Sequence, residues 1–197
     1  EKLLVDFDTT VNNSPIDISG RGKHGRFYGT GMNYSSADKA FVFNGTDDSI
    51  KIANIGNSSG LWEHSVSLWL KIDDLSSTQA VWFIDGDISG TAGNTPHVVV
   101  DTDGRVRFDM WSSALNSPSG IITPGVWHHV VTSLLATNNR KSIYVNGTLV
   151  LAGDFSGTHV VDGDASVRIG AYGDGTSKFG GKISNFKIYD VTLEPSE

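Results

Sequence analysis

The sequence predicts an all-β protein, an antiparallel two-sheet β-sandwich. Three observations carry that prediction. Short runs of alternating apolar and polar residues recur throughout, about a dozen of them at 8–12-residue spacing. Turn signals separate them, and the chain has 23 glycines but only 5 prolines. No stretch keeps the 3.6-residue apolar period of a helix.

The clearest element runs from Trp127 to Leu151. It reads as strand, loop, strand, tight turn, strand. Asn146-Gly147 sits between the β-rich runs Ile143–Val145 and Leu149–Leu151. Such a pair marks a two-residue hairpin, because both turn residues must take positive φ.

Taken in order, Leu3, Val5 and Phe7 share one face of a first strand, and Asp8 closes it. The segment from Asn12 to Gly31 is turn-rich, with a short strand at Arg26–Tyr28. Ala40–Phe43 and Ile50–Ile52 flank Asn44-Gly45 and read as a second hairpin. Ser65–Ile72 is a central strand with Val66, Leu68, Leu70 and Ile72 on one face and Ser67, Trp69 and Lys71 on the other. Either that strand is partly covered on both sides, or Trp69 lines a concave surface. Ala80–Ile84 follows, then the polar loop 85–94. Val98–Val100 and Arg105–Met110 pair around 101–104. After Val167–Gly170 and the glycine-rich loop 171–181 comes the last strand. Strict alternation there puts Ile183, Asn185, Lys187 and Tyr189 on one side and Ser184, Phe186 and Ile188 on the other. No composition shift divides the chain, so residues 1–197 read as one domain.

Bulk properties exclude several classes. The net charge is −7 with Lys and Arg scattered, which argues against nucleic acid and anionic membranes. No apolar run approaches the roughly 18 residues that a membrane span needs. There is no cysteine, hence no disulfide, thiolate metal site or cysteine nucleophile. No leader precedes Glu1, which suggests a processed product or a domain of a longer chain.

Five pieces then occur in a telling order. Phe7-Asp8 follows the first strand. "DxSGxGxHG" spans 17–25, "AFVFNGxDDSI" spans 40–50 and "SVSLWLK" spans 65–71. "PGxWHHV" leads into "YVNG" and then "FxGKISNFKIYD". In this order they resemble the laminin-G-like, concanavalin A-like jelly roll of the LamG/pentraxin type. The resemblance covers nearly the whole chain. It implies a non-enzymatic, extracellular or cell-surface module of a larger secreted protein, binding glycans or proteins or supporting catalytic neighbours. It also implies a structural Ca²⁺ tying the first strand to the last. The matching positions are Asp8, the Asn44/Gly45 turn and Ser184. Ser184 stands where the family carries an Asp, so a hydroxyl replaces a neutralising carboxylate.

Catalytic signals are sparse. Retaining glycoside hydrolysis wants two carboxyls about 5–5.5 Å apart. No strand here alternates acids, and Glu63 is the only Glu between Glu1 and Glu194. His128-His129 are strand neighbours pointing to opposite faces, so they cannot share an ion. "DTDG" at 101–104 lacks the later acids of a calcium loop and reads as a turn.

Sugar sites combine exposed aromatic faces with a few acids and amides. Trp111 and Tyr172, beside polar loops, are the candidate platforms. Asp85, Asp87, Asn94 and Asp174 are the candidate hydrogen-bonding groups. Trp69, Trp82 and Trp127 lie in apolar strands and read as core. The sequence thus points to a non-catalytic binding or adhesion module, a lectin for carbohydrate or a binder of a cell-surface protein. It would act through rim loops or the concave sheet, with or without Ca²⁺. The alternatives are a spacer without ligand and a glycan hydrolase or lyase.

Overall fold

The structure is a computed structural model that describes residues 3–11, 14–55, 63–85, 95–110, 113–155 and 165–193, with backbone alone at Leu4, Asp8–Val11 and Asp85. Sixteen strands and one short 3₁₀ turn, η1 (Ala136–Asn138), are the regular elements among the described residues.

The larger sheet has nine strands. Its main path runs β14 (Thr148–Asp154), β13 (Arg140–Val145), β12 (His128–Leu135), β7 (Glu63–Ile72), β16 (Gly180–Tyr189), β1 (Leu3–Val11), β2 (Ser14–Asp17). β5 (Ala40–Asn44) also pairs with β16, and β4 (Asn33–Ser35) pairs with β5. The smaller sheet has seven strands, in the order β11 (Leu115–Asn116), β10 (Val106–Asp109), β9 (His97–Val100), β8 (Gln79–Asp85), β15 (Ser166–Ile169), β6 (Ser49–Ile52), β3 (Gly25–Tyr28). Every pairing is antiparallel.

The two sheets pack through their alternating apolar faces. Val5, Phe7, Phe41, Phe43, Leu68, Leu70 and Phe186 of the larger sheet meet Ile50, Ile52, Trp82, Phe108 and Val167 of the smaller, all essentially without solvent exposure. Each such side chain contributes about 1.5–3 kcal/mol by leaving water, so the core alone accounts for the two-layer arrangement. Trp82 lies at its centre, edge-on to His64 and Phe108 with centroids 6.1 and 5.8 Å away.

The predicted hairpin at Asn146-Gly147 is present. Val145 pairs with Thr148, and φ is 51° at Asn146 and 78° at Gly147. Val106 pairs with Val100 around 101–104 as read. That turn closes on Gly104 N–H to Asp101 O at 2.9 Å. Four expectations need correction. Ala40–Phe43 and Ile50–Ile52 do not form a hairpin, because β5 and β6 belong to different sheets. The Asn44 side chain accepts the N–H groups of Thr46, Asp47 and Asp48, turning the chain from one layer to the other. β1 does not end at Asp8 but continues to Val11, pairing with β2. β2 itself was hidden in the turn-rich segment.

Strict alternation fails in β16. Ser184 pairs with Trp69, and Lys187 pairs with Ser67, so β16 uses one residue more than β7. Asn185 takes it up at φ 50°. This bulge resets parity. Ile183, Phe186 and Ile188 face the core, and Ser184 and Lys187 stay together on the outer face.

The motif at 17–25 is a loop knot. The Asp17 carboxylate accepts the N–H groups of Asp6, Ser19 and Lys23 at 3.1, 2.9 and 2.8 Å. His24 Nδ1 accepts the Asp17 N–H at 3.1 Å. Gly20 and Gly22 supply the positive φ that the reversals require.

Candidate functional site: an aromatic groove on the outer face of the larger sheet

Outward positions of β7 are Ser65, Ser67, Trp69 and Lys71. Because Leu68 and Leu70 must face the core, Trp69 is turned to solvent and is 40% exposed. Pairing places His129 of β12 on one side of it and Ser184 of β16 on the other. The indole and the imidazole stack, with centroids 5.1 Å apart and planes 28° apart. His129 Nε2 is 2.9 Å from Ser67 Oγ, which fixes the ring. Burial of His129 lowers its pKa below the usual histidine range, so the ring is neutral at pH 7. The Asn146 side chain accepts the His129 N–H at 2.9 Å and so anchors this strand to the hairpin turn.

Asp38, Trp69, Trp127 and Ser184 line an open groove of about 300 Å³. Trp127 is half-buried. Asp38 accepts Lys182 Nζ at 2.6 Å and Ser35 Oγ at 2.8 Å, and these bonds hold its carboxyl below the usual range. Ser184 Oγ donates to Lys39 O at 2.6 Å, so its hydroxyl proton is engaged and the oxygen can act as an acceptor. Two aromatic side chains therefore share the groove with an ionised carboxylate and a hydroxyl, and the Lys182 ammonium is bonded to that carboxylate. Such a groove can stack a flat apolar surface and hydrogen-bond polar groups at its edge.

Trp69 and Trp127 correct the expectation that they belong to the core, and Trp82 bears its reading out. Apolar neighbours in sequence misled, since at Trp69 they all lie on the opposite face. Parity with Ser67 and Lys71 had already set Trp69 on the face away from Leu68 and Leu70, and that is where it lies. His129, Asp38 and Lys182 had no such signal, because pairing between distant strands brings them together.

The residues named from sequence fall elsewhere. Asp87, Asn94 and Trp111 lie outside the described residues, and Asp85 is described only as backbone, paired with Ser166. Tyr172 and Asp174 sit in the loop between β15 and β16, over the smaller sheet. The Tyr172 ring is half-buried, edge-on to Phe83 and His97 with centroids 5.9 and 5.3 Å away. Asp174 is exposed and accepts the Thr176 N–H and Oγ at 2.9 and 2.7 Å, the bonds that shape its turn.

The calcium positions do not converge. Asn44 pairs with Gly180, and Ser184 is four residues further along β16, about 13 Å at strand rise. The Asn44 side chain is engaged in its own turn, and the side chain of Asp8 lies outside the described residues. Asn44, Gly45 and Ser184 thus do not fit one ion. Among the described residues no three His, Asp or Glu side chains are grouped to hold a metal.

His128 and His129 point apart as expected. His128 is buried, and its Nε2 accepts the Thr123 N–H at 3.1 Å. Glu63 Oε1 only accepts a bond from Thr137 Oγ1 at 2.9 Å.

Residues 44–197 match the family described as the Concanavalin A-like lectin/glucanases superfamily, laminin G type. The chain belongs to that superfamily. No curated protein matches it. Among solved structures, this superfamily member resembles domain 4 of an extracellular GH43 arabinanase from Geobacillus stearothermophilus, in complex with arabinotriose. The TM-score is 0.75 at 22% identity, over 99% of this chain and 95% of that one. The botulinum neurotoxin serotype D binding domain aligns with TM-score 0.72 and 16% identity, over 99% of this chain and 50% of that one. The CBM40 of Ruminococcus gnavus IT-sialidase, bound to α2,3-sialyllactose, aligns with TM-score 0.58 and 17% identity, over 68% and 79%. At these identities the likeness is one of fold. No helix among the described residues is long and apolar enough to cross a membrane.

Proposed function

We propose that this superfamily member is a non-catalytic, extracellular carbohydrate-binding module that holds an uncharged saccharide in the Trp69 groove. The observation that carries the reading is the exposed Trp69–His129 stack beside Asp38, Ser184 and Trp127. A pyranose or furanose presents an apolar C–H face and a rim of hydroxyls. The face lies on the indole, and Asp38 and Ser184 take hydroxyls at the edge. Similarity to carbohydrate-bound domains supports the same reading. A hydrolytic role finds little support, since Asp38, the acid in the groove, is tied to Lys182.

The test is calorimetry with arabinotriose and a panel of uncharged oligosaccharides, with Ca²⁺ and with chelator. Trp69→Ala is expected to cost about 2 kcal/mol, roughly thirtyfold in affinity, and Trp69→Phe to recover most of it. No binding by any member of the panel, or unchanged binding by Trp69→Ala, overturns the reading. Binding that persists in chelator is expected, because the groove residues need no ion.

A further inference from the structure

On the opposite side of the sandwich, the outer face of the smaller sheet carries a row of cations. Arg26 of β3 pairs with Lys51 of β6, and Lys51 pairs with Arg168 of β15. All three side chains share the outward parity, since Phe27, Ile50, Ile52, Val167 and Ile169 face the core. At about 4.8 Å between strands the row spans roughly 10 Å. Like charges on directly paired strand positions are destabilising. Yet no ion pair with Arg26, Lys51 or Arg168 forms among the described residues, in a chain with 22 acids and net charge −7. What holds the guanidiniums is one exposed tyrosine. Arg26 and Arg168 both lie over the Tyr28 ring, at 5.5 and 5.9 Å from its centroid. Both guanidiniums are thereby held against one ring, and neither forms an ion pair among the described residues. Arg168 Nε is buried and makes no hydrogen bond. Asp174 and Lys178, at the rim, feel the Arg168 charge, and Lys178 Nζ donates to Asp47 O at 3.0 Å.

We propose that Arg26, Lys51 and Arg168 form a second binding site, for the carboxylate or sulfate group of an acidic saccharide. Two guanidiniums gathered on one ring, with an ammonium between their strands, suit a planar or tetrahedral oxyanion, which takes paired N–H donors. The chemistry favours a short acidic sugar over a nucleic acid. The row is only about three strands long, as a longer polyanion would meet the field of a net acidic protein. Tyr28 already carries two guanidiniums against its ring, and no second aromatic shares the row to stack successive bases. The site is separate from the Trp69 groove, and its failure leaves that reading untouched.

The test is calorimetry at low salt with trigalacturonate, a sulfated disaccharide and an uncharged trisaccharide, alongside sedimentation with phosphatidylserine vesicles. At least one acidic sugar is expected to bind, with affinity falling as salt rises. The Lys51→Gln/Arg168→Gln protein should bind it at least tenfold more weakly, and Trp69→Ala should bind it as the parent does. The sugar that binds distinguishes carboxylate from sulfate. Should the double variant melt earlier than the parent, Arg26→Gln at the exposed sheet edge serves instead, with an expected loss of about threefold. Binding of neither acidic sugar, equal binding by the charge-removed protein, or binding to vesicles alone overturns the proposal.

Discussion

Lys141 is the group whose titration the fold most alters. It lies on the core-facing side of β13 and has no solvent exposure. Its ammonium donates to the carbonyls of Phe108, at 3.2 Å, and Ser113, and lies 5.3 and 5.9 Å from the ring centroids of Phe108 and Phe155. It thereby bridges the two sheets. Burial lowers its pKa from 10.5 to about 8, with Asp109 opposing. The sign follows from proton counting. Between pH 8 and 10.5 the folded protein binds fewer protons at Lys141 than the unfolded chain. Stability therefore rises with pH across that window. The full difference is worth about 3 kcal/mol. Below pH 8 the folded state carries the whole cost of a buried cation.

Lys141→Met keeps the stem and removes the charge. At pH 7 it gains by losing that cost and loses two charged hydrogen bonds of about 1.5–3 kcal/mol each, so the slope with pH is the informative quantity. Urea unfolding, followed by Trp fluorescence from pH 7 to 10, measures it. The parent should gain about 2 kcal/mol from pH 8 to 10, and the difference between parent and Lys141→Met should carry that slope. Lys178, whose pKa burial also lowers, adds the same sign to both proteins and cancels. Tyr172, raised by burial, opposes only above about pH 10. Identical slopes in the two proteins would refute the argument that the ammonium is charged and buried.

Other expectations concern the frame around the groove. Gly181 sits at φ 140°, and a Cβ there would lie 2.2 Å from Lys71 O, so Gly181→Ala should destabilise by about 2 kcal/mol or more in thermal melts. Asp48 has no exposure and accepts the N–H groups of Gly31 and Asn44 at 3.0 and 2.9 Å; Asp48→Ala should cost about 3 kcal/mol in urea titrations. Saccharide binding in the Trp69 groove should be flat from pH 7 to 8. It should change only as His129 protonates, below the ordinary histidine range, which a pH series of calorimetric titrations would show.

Most of the architecture was legible because it depends on local chemistry. Val66, Leu68 and Leu70 declare a buried face by alternation, and Asn146-Gly147 declares a turn by its need for positive φ. What alternation cannot express is a change of sheet or an inserted residue. Asn44 redirects the chain through side-chain bonds to three successive N–H groups, and nothing in an Asn-Gly pair separates that from a hairpin. Asn185 looks like any polar strand residue until its left-handed φ is seen.

That bulge is also why the candidate site was unreadable. Without the extra residue, a strand that buries Ile183 would turn Phe186 outward and Ser184 could share a face only with Phe186 and Ile188. With it, β16 buries Ile183, Phe186 and Ile188 and still presents Ser184 beside Trp69 and Lys187 beside Ser67. Polar rim and apolar core are thus reconciled within a single strand by one left-handed Asn. Asn185→Gly, which accepts positive φ freely, should keep both stability and saccharide binding. Asn185→Val, whose branched side chain resists that φ, should lower the melting temperature and weaken binding together, since Ser184 could not hold its place without displacing Phe186 from the core. Loss of melting temperature with binding intact would detach the groove from the bulge and refute the link.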